Sequence, residues 1–376
     1  MRTQQNVYID GKWAKSIETM DSAELVLLFG NRNYAKDSNL MSEIKAHFPA
    51  AQIVGCTTAG EVAGTKIYDE SLCLTAIDLA HSSLAVVSSN ITHSSTQAVA
   101  EKLAKQLEHK GLRYAIVLSD GHQINGTELV NGLQEHLPDN VLISGGLAGD
   151  GTQFSETIVW HNDNLDTGNI LVIGFYGEKL SFGHGCIGGW NAFGPDRTIT
   201  KSQSNILYEL DGKPALELYK KYLGPHAEQL PSSALLFPLV LKIGDNLITR
   251  TILNINEADG SMIFAGDVPE GATVQLMRAN AGNLIDGAEL AAVEALDNLK
   301  STSKTGLALL ISCVGRRLVL DKYTEEELEV VKDIIGEDWT YAGFYSYGEL
   351  SPMVNSNICA LHNQTMTITT LCETDE

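Results

Sequence analysis

The sequence of 376 residues is poor in positive charge. Its 26 lysines and arginines stand against 47 aspartates and glutamates, which gives a formal net charge of −21. A partner made of nucleic acid or anionic lipid would require clustered lysine and arginine, because both present negative phosphates. The basic residues form only the pairs Lys220-Lys221 and Arg316-Arg317. The composition therefore argues against a nucleic-acid partner and against a membrane partner.

Long apolar runs are missing as well. No stretch approaches the roughly 18 apolar residues of a membrane-spanning helix, and segment 1–13 lacks the apolar region of a secretory signal. The six cysteines are scattered without a C-x-x-C pair, and several lie inside apolar runs, where a free cysteine behaves as a small hydrophobic residue. We therefore expect a reduced protein in the cytoplasm.

Familiar signatures of catalysis are also absent. The sequence contains no nucleophile elbow, no zinc-protease helix motif and no phosphate-binding P-loop. The ten histidines are dispersed, which argues against a structural zinc site. Cys56 is the one candidate nucleophile, but the nearby sequence offers neither the positive neighbour nor the helix N-terminus that would activate its thiol. We expect a protein that is not an enzyme.

What the chain does have is a glycine-rich segment that occurs three times. The copies are Val54–Glu61 (VGCTTAGE), 144–150 (SGGLAGD) and Gly343–Glu349 (GFYSYGE). Each ends in glycine and a carboxylate, and each follows an apolar strand and a segment with apolar residues at helical spacing. Two β-like runs come after each copy. The pattern predicts an internally repeated unit of strand, helix, glycine-rich strand, strand and strand.

These units predict a mixed α/β fold in which sheets are flanked by helices and a ligand lies in a cleft between two halves. Because the chain exceeds the usual length of one domain, about 100–200 residues, we divide it. The predicted parts are a polar lead-in over 1–24, an N-terminal domain over 25–223 and a C-terminal domain over 224–376. Thr324 and Glu327 have the spacing of a capping box at the start of a helix.

The three carboxylates after the repeated glycines are candidate ligand-binding residues. Glu61, Asp150 and Glu349 could bind the amine of a ligand. Alternatively, each glycine provides a tight turn and the acid caps exposed N–H groups. Their matching places favour a shared turn, with one of the three used by the ligand. Arg317 could hold a ligand carboxylate with two parallel hydrogen bonds, or it could form a salt bridge within this acidic chain.

Two histidines and their neighbours form a second candidate set. His184 lies among glycines, beside Cys186 and ahead of Trp190, where a flat ligand could approach the backbone. Neutral imidazole is a good iron ligand, although a partly buried structural histidine is the ordinary alternative. His122 follows a predicted strand, which is a typical place for site residues and equally for a surface histidine. Tyr345, within the third copy, completes the candidates.

Five motifs together resemble the FIST family, with its N-terminal and C-terminal parts, over roughly residues 25–370. They are Gly55–Glu61, Gly145–Asp150, Leu210–Tyr219, Ser312–Arg317 and Gly343–Glu349.

This resemblance implies a bacterial sensory module that binds a small ligand and signals to a histidine kinase or a cyclic-di-GMP enzyme. Free-standing members also resemble the nitric-oxide-sensing FIST haemoproteins, which regulate a separate histidine kinase. We therefore expect a stand-alone sensor that binds haem, with His184 assigned to the iron on its local chemistry alone. The alternatives are a haem-free receptor for an amino acid or similar metabolite, gripped by Arg317 and one of the carboxylates, and an enzyme that uses Cys56. The sequence is compatible with a homodimer.

Overall fold

The computed structural model describes residues 1–243, 246–301, 303–353 and 356–374, and the strands of these residues form four sheets. Three sheets are built alike by three modules of the chain, and the fourth belongs to a region inserted in the third module. The first module runs through β1 (Arg2–Ile9), β2 (Lys12–Trp13), β3 (Leu25–Gly30), α1 (Arg32–Ala35), α2 (Ser38–His47), β4 (Gln52–Cys56), β5 (Glu61–Ala63), β6 (Lys66–Tyr68) and β7 (Leu72–Asp78).

The second module follows a similar order, with one helix in place of β2 and a single helix in place of α1 and α2. It runs through β8 (Ser83–Asn90), α3 (Thr96–Gln106), β9 (Leu112–Ser119), α4 (Gly126–Gln134), β10 (Leu142–Leu147), β11 (Val159–His161), β12 (Asn164–Asp166) and β13 (Asn169–Tyr176).

The third module opens with β14 (Leu180–Ile187), and the inserted region follows. That region runs through β15 (Asn191–Gln203), β16 (Ile206–Leu210), β17 (Lys213–Pro214), α5 (Ala215–Leu223), 3-10 turns over Gly224–Gln229 and Ser232–Leu236, β18 (Leu239–Ile243), β19 (Asn246–Arg250), β20 (Ile252–Asn256), β21 (Ser261–Phe264) and β22 (Thr273–Arg278). The module then resumes with α6 (Ala281–Asn298), β23 (Gly306–Cys313), α7 (Val314–Leu320), a 3-10 turn over Asp321–Tyr323, α8 (Thr324–Ile335), β24 (Trp339–Ser346), β25 (Gly348–Pro352), β26 (Cys359–His362) and β27 (Met366–Glu373).

The sheet of each module has the same four-strand centre. The orders are β4-β3-β7-β1, β10-β9-β13-β8 and β24-β23-β27-β14. The first two strands of each set are parallel and are joined by one or two helices, and the other pairings are antiparallel. The helices begin where the sequence provides caps: the Asp37 side chain accepts hydrogen bonds from the first turn of α2, and Asn125 does the same for α4. The predicted mixed α/β fold with repeated units is confirmed.

The modules exchange hairpins in a ring. The hairpin β5-β6 of the first module pairs with β24 of the third, β11-β12 of the second pairs with β4 of the first, and β25-β26 of the third pairs with β10 of the second. Each sheet is therefore completed by strands from a neighbouring module. The predicted unit had two strands after the glycine-rich one, whereas each module has three, of which the first two form the exchanged hairpin.

The apolar faces of the three sheets meet at the centre of the body. Leu27, Ile116 and Leu309 represent the three modules in this buried core, and Phe29 packs on Phe344 with ring centroids 4.7 Å apart. The helices cover the outer faces. In the described residues, no helix is both long and apolar enough to cross a membrane.

The inserted region has an apolar cluster of its own, which spans the division predicted at residues 223 and 224. Leu216 and Tyr219, before the division, share this cluster with Leu239 and Leu241, after it. The Tyr219 hydroxyl also donates a hydrogen bond to the carbonyl of Phe237 at 2.8 Å. Contacts therefore cross this point of the chain within one small core.

Candidate functional site

The three glycine-rich segments meet where the parallel strands of the three modules end. A ring of three backbone hydrogen bonds of 2.8–3.1 Å joins them. In this ring Ala59 N–H donates to Tyr345, Gly149 N–H donates to Thr57, and Tyr347 N–H donates to Leu147. Ligands of open α/β sheets bind beyond the carboxyl ends of parallel strands, so each module offers a candidate corner here.

The ring and the strand pairings show which residues are equivalent. Glu61 pairs with Phe344, Glu349 pairs with Gly146, and the matching residue of the second module is Val159, which pairs with Cys56. The prediction of matching places therefore holds for Glu61 and Glu349 and is wrong for Asp150. Asp150 occupies the position of Gly60, and the extra residues 151–158 separate it from β11.

The Glu61 carboxylate accepts hydrogen bonds within its own module, as expected for a structural role. It is buried and accepts hydrogen bonds from the hydroxyls of Thr58 at 2.5 Å and Ser71 at 2.7 Å. Burial raises its pKa from the usual 4.5 to about 7, against the opposing effect of these hydroxyls.

Glu349 repeats this arrangement in the third module. It accepts hydrogen bonds from the Ser346 hydroxyl at 2.6 Å and from the Thr365 hydroxyl at 2.9 Å. Burial again raises the pKa to about 7. Both glutamates thus serve the same turn, but only Glu61 borders a cavity; Glu349 is fully enclosed.

The cavity at the first corner is polar and has a volume of about 380 Å³. We call it the polar cavity. It is lined by the turn after β3, by the first glycine-rich segment, by the turn between β6 and β7 and by the start of the loop after β10. Its lining residues are Gly30–Asn33, Thr57–Glu61, Asp69, Glu70 and Asp150–Gln153. Four carboxylates thus line this cavity, together with the single cation Arg32, which pairs with Glu156 at 3.1 Å.

Arg317 reaches the edge of the polar cavity from α7. Its guanidinium donates to both Asp69 oxygens, at 2.7 and 2.6 Å, and to the Ala59 carbonyl at 2.7 Å. The salt bridge that the sequence offered as an alternative is therefore present. Gly60 allows this approach, because it has a φ of +132° and a Cβ there would lie 2.5 Å from the guanidinium. A ligand carboxylate could reach Arg317 by displacing Asp69, whose side chain is 64% exposed.

The second corner holds a smaller cavity of about 290 Å³, which we call the aromatic cavity because four aromatic rings line it beside polar side chains such as Asn125 and Asn205. His122 lies here with Tyr347, Phe154 and Phe264. The Tyr347 hydroxyl donates to an Asp150 oxygen and to the carbonyl of Gly151, and Phe154 stacks on the Tyr347 ring at 4.7 Å.

Asp150 links the aromatic cavity to the polar one. Its carboxylate lies 3.7 Å from His122 Nε2. Although burial alone would raise the pKa of Asp150, hydrogen bonds from Tyr347, Glu156 and Ser155 hold it below its usual value. The carboxylate is therefore ionised at neutral pH and fixes the loop after β10.

The third corner is filled by an ion pair. The fully buried Arg316 donates to Glu327 at 2.7 Å and to the carbonyls of Leu284 and Gly188. Glu327 also accepts from the Tyr345 hydroxyl at 2.6 Å. The predicted capping box is therefore wrong, because Glu327 points into this buried pair. Tyr345 is committed to the same pair, and only its ring, 5.5 Å below the Arg317 guanidinium, approaches the site.

His184, Cys186 and Trp190, which belong to the second predicted set, do not lie at these corners. His184 and Cys186 border a separate cavity of about 300 Å³, whose lining includes Glu294 and Asp297. Trp190 is buried elsewhere, where its indole N–H donates to the Gln364 carbonyl at 2.8 Å.

His184 was the residue assigned to haem iron. Burial lowers its pKa, so its imidazole is neutral, and its Nδ1 has no hydrogen-bond partner among the described residues. The neutral ring suits iron, but the neighbouring Glu294 and Asp297 would repel the two propionates, and the described lining of the cavity contains no aromatic ring besides His184 itself. Cys186 is held by the Thr367 hydroxyl at 3.4 Å, and burial raises its pKa to about 11. These surroundings do not fit haem.

Cys56 has no access to a substrate. Its side chain is fully buried in the central core, and burial raises its pKa well above the usual value. Both effects oppose a thiolate nucleophile. Within the described part of the chain, no group of three or more histidine, cysteine, aspartate or glutamate side chains has metal-binding geometry.

Sequence reasoning missed several lining residues of the corners. Asn31 and Arg32 come directly after β3, the position that drew attention to His122 after β9, so their signal was available. Asp69 gave no local signal, since its partner Arg317 is 248 positions away. Phe154 and Tyr347 belong to segments whose packing depends on the hairpin exchange.

Two models of known protein domains match this chain. The FIST N domain model matches residues 24–213, and the FIST C domain model matches residues 215–352. An uncharacterized protein from Mycobacterium tuberculosis (strain ATCC 25618 / H37Rv) is 24% identical over 355 residues, which cover 91% of this chain and 89% of the relative. An uncharacterized protein from Methanocaldococcus jannaschii is 23% identical over 367 residues, which cover 85% of this chain and 67% of the relative. The chain belongs to the FIST family, whose domains are the sensory domains of signalling proteins.

Proposed function

We propose that this protein is a sensor that binds a small metabolite with an ammonium group, such as an amino acid or an amine, in the polar cavity. The observation that carries the proposal is the excess of carboxylates there: Glu61, Asp69, Glu70 and Asp150 line a cavity of about 380 Å³. Arg32 and Arg317 are already paired with acids. A cation would therefore gain more from this cavity than an anion.

The buried glutamate adds a pH dependence to such binding. Because the pKa of Glu61 is about 7, a nearby ammonium group would favour its ionised form and release a proton. Binding should therefore tighten as the pH rises through about 7. An amino acid could in addition place its carboxylate on Arg317 in exchange for Asp69.

A thermal-shift screen against amino acids and simple amines tests the proposal. A ligand at 100 times its dissociation constant should stabilise the fold by about 2.7 kcal/mol. Glu61→Gln should abolish the shift. Glu349→Gln is the matched control, because it changes the equivalent residue at a sealed corner. The proposal fails when no compound shifts the melting temperature, or when both variants lose the response equally.

Haem is the second candidate ligand, and His122 is the observation that favours it. Unlike His184, His122 lines a cavity with the aromatic walls Phe154, Phe264 and Tyr347. Asp150 lies 3.7 Å from Nε2, where it can orient the ring, as carboxylates do for metal-bound histidines. His122 would hold the iron, and the bound haem would supply the centre that takes nitric oxide.

An absorption spectrum decides this candidate. Protein given haem should show a Soret band that shifts with nitric oxide, and His122→Ala should lose the band while His184→Ala keeps it. A reconstituted sample without the band ends the haem candidate and leaves the metabolite proposal intact.

The output is delivered by another protein in this proposal. The chain would act in the cytoplasm, as a monomer or a homodimer, on a histidine kinase or a cyclic-di-GMP enzyme. The test is kinase autophosphorylation with the sensor added, with and without its ligand. A rate that the ligand leaves unchanged, for every candidate kinase and cyclic-di-GMP enzyme encoded near the sensor, argues against this output.

A further inference from the structure

A third cavity lies between the inserted region and the body. Its volume is about 520 Å³, which is larger than that of either corner cavity, and we call it the apolar cavity. The inserted region contributes Pro231, Leu235 and Leu253, and the body contributes Phe154 and Leu318. Ligand cavities in proteins have this range of size and this predominance of apolar walls.

The walls of the apolar cavity carry no charged residue among those described, although the chain as a whole has 19% charged residues. Phe154, Leu253 and Leu318 on its rim are 41%, 44% and 40% exposed to solvent. Contiguous apolar side chains left in water mark a binding surface. A charged occupant would lose hydration there without gaining a partner, so the occupant is uncharged.

Four polar side chains line the cavity, those of Thr152, Gln229, Ser232 and Ser233, and the two serines narrow the chemistry of the ligand further. The Ser232 hydroxyl donates to the Gln229 carbonyl at 2.7 Å, and the Ser233 hydroxyl donates to the His226 carbonyl at 2.8 Å. A hydroxyl has one hydrogen to donate and two lone pairs to accept. With their hydrogens used, these serines can only accept, so they suit a ligand that donates.

We propose that the apolar cavity binds an uncharged, mainly apolar small molecule that carries one hydroxyl or N–H donor. The bound molecule would contact Leu253 of the inserted region and Leu318 of α7 at once, and it would thereby tie the inserted region to the body. The inference goes beyond the proposed function, because it does not require an occupied polar cavity.

Three matched probes test the chemistry on the full chain. 1-Naphthol is apolar and uncharged and has a hydroxyl donor, 1-methoxynaphthalene lacks the donor, and naphthalene-1-sulfonate carries a charge. Fluorescence titration should show saturable binding of 1-naphthol, weaker binding of the methoxy probe by roughly threefold to tenfold, the value of one hydrogen bond, and the weakest binding of the sulfonate. Equal binding of all three probes, or no saturable binding, overturns the inference.

Variants of the rim locate the probe. Leu318→Asp and Leu253→Asp place a charge beside the cavity and should each weaken 1-naphthol binding by about tenfold or more. Leu247→Asp is the matched control, because Leu247 is a 66% exposed leucine of the same inserted region that does not line the cavity. Circular dichroism confirms that each variant is folded. An equal loss with Leu247→Asp contradicts the placement, and unchanged binding in Glu61→Gln separates this site from the polar cavity.

Discussion

Glu61 and Glu349 occupy equivalent positions of two modules, yet one borders an open cavity and the other is sealed. Both accept hydrogen bonds from hydroxyls, and the pKa of each is raised to about 7. The difference lies in the groups that surround the two glutamates in space. In the third module the Arg316–Glu327 ion pair fills the corner, whereas in the first module the same space is a cavity of about 380 Å³.

This comparison teaches that the repeated turn and the binding site are separate properties. The turn is maintained by the glutamate and its hydroxyl partners in both modules. In the third module the corner is filled by Arg316 and Glu327, which both follow the first parallel strand in the sequence and lie outside the glycine-rich segment. The fold therefore provides three similar corners, and side chains that lie outside the repeated motif decide which of them can function.

The largest expected effect comes from opening the sealed corner. Arg316→Ala leaves Glu327 buried without its partner, and breaking a buried pair in this way costs about 3–5 kcal/mol of unfolding free energy. Urea unfolding measures the loss. Arg317→Ala is the control, since the neighbouring arginine is partly exposed and pairs with the exposed Asp69.

A double variant sharpens this result. Arg316→Met with Glu327→Gln removes both charges, and the stability should recover in part, because the uncompensated charge rather than the lost contact causes most of the damage. Equal losses in Arg316→Ala and Arg317→Ala would show that the pair does not hold the corner together.

A pH-dependent effect of intermediate size should come from the two glutamates. A pKa raised from 4.5 to about 7 means that the folded protein holds the proton more tightly than the unfolded chain does. The stabilisation is complete below about pH 4.5 and is lost as the pH rises through 7, by at most about 3 kcal/mol for each group.

Glu349→Gln should therefore make the unfolding free energy less dependent on pH between 5 and 8, as should Glu61→Gln. Urea midpoints across this range give the measurement. Glu43→Gln, at an exposed position of α2, is the control that should keep the slope of the natural protein. Unchanged slopes in both glutamine variants would contradict the raised pKa values.

The smallest expected effect concerns the second corner. Tyr347→Phe removes the hydroxyl that donates to Asp150 and Gly151 but keeps the ring that stacks on Phe154. The loss should be about 1–2 kcal/mol, because one of the two hydrogen bonds goes to a charged group. Thermal unfolding beside Tyr323→Phe, a change of an exposed tyrosine, measures it. If both variants lose the same unfolding free energy, the hydrogen bond from Tyr347 to Asp150 does not stabilise the fold.

Much of this fold could be predicted because its signals are local. Apolar runs and helical spacing located β3, β9 and β23 and the helices after them. The exchange of hairpins could not be predicted, since β5 and β24 are separated by most of the chain. The Gly149-Asp150 pair was misleading for a related reason. Like Gly60-Glu61, it is a glycine followed by an acidic residue, but Val159 is the residue of the second module that occupies the position of Glu61 in the exchanged hairpin.

The site was predicted in the same uneven way. Glu61 could be recognised because the repeated motif contains it. His184 could not be rejected from the sequence, because Glu294 and Asp297 approach it only through the packing of α6. Thr324 and Glu327 had the spacing of a capping box, yet burial beside Arg316 gave Glu327 a different role.

The circular exchange of hairpins bears on how such a chain could have arisen. In a module on its own, one edge of the sheet would lack the hairpin that pairs with it, and the module's own hairpin would have no sheet to pair with. Three copies of a primitive single-module polypeptide could satisfy both by assembling as a closed trimer. Gene triplication would then have joined the three subunits covalently, freeing each corner to diverge, which a symmetric trimer of identical chains could never allow.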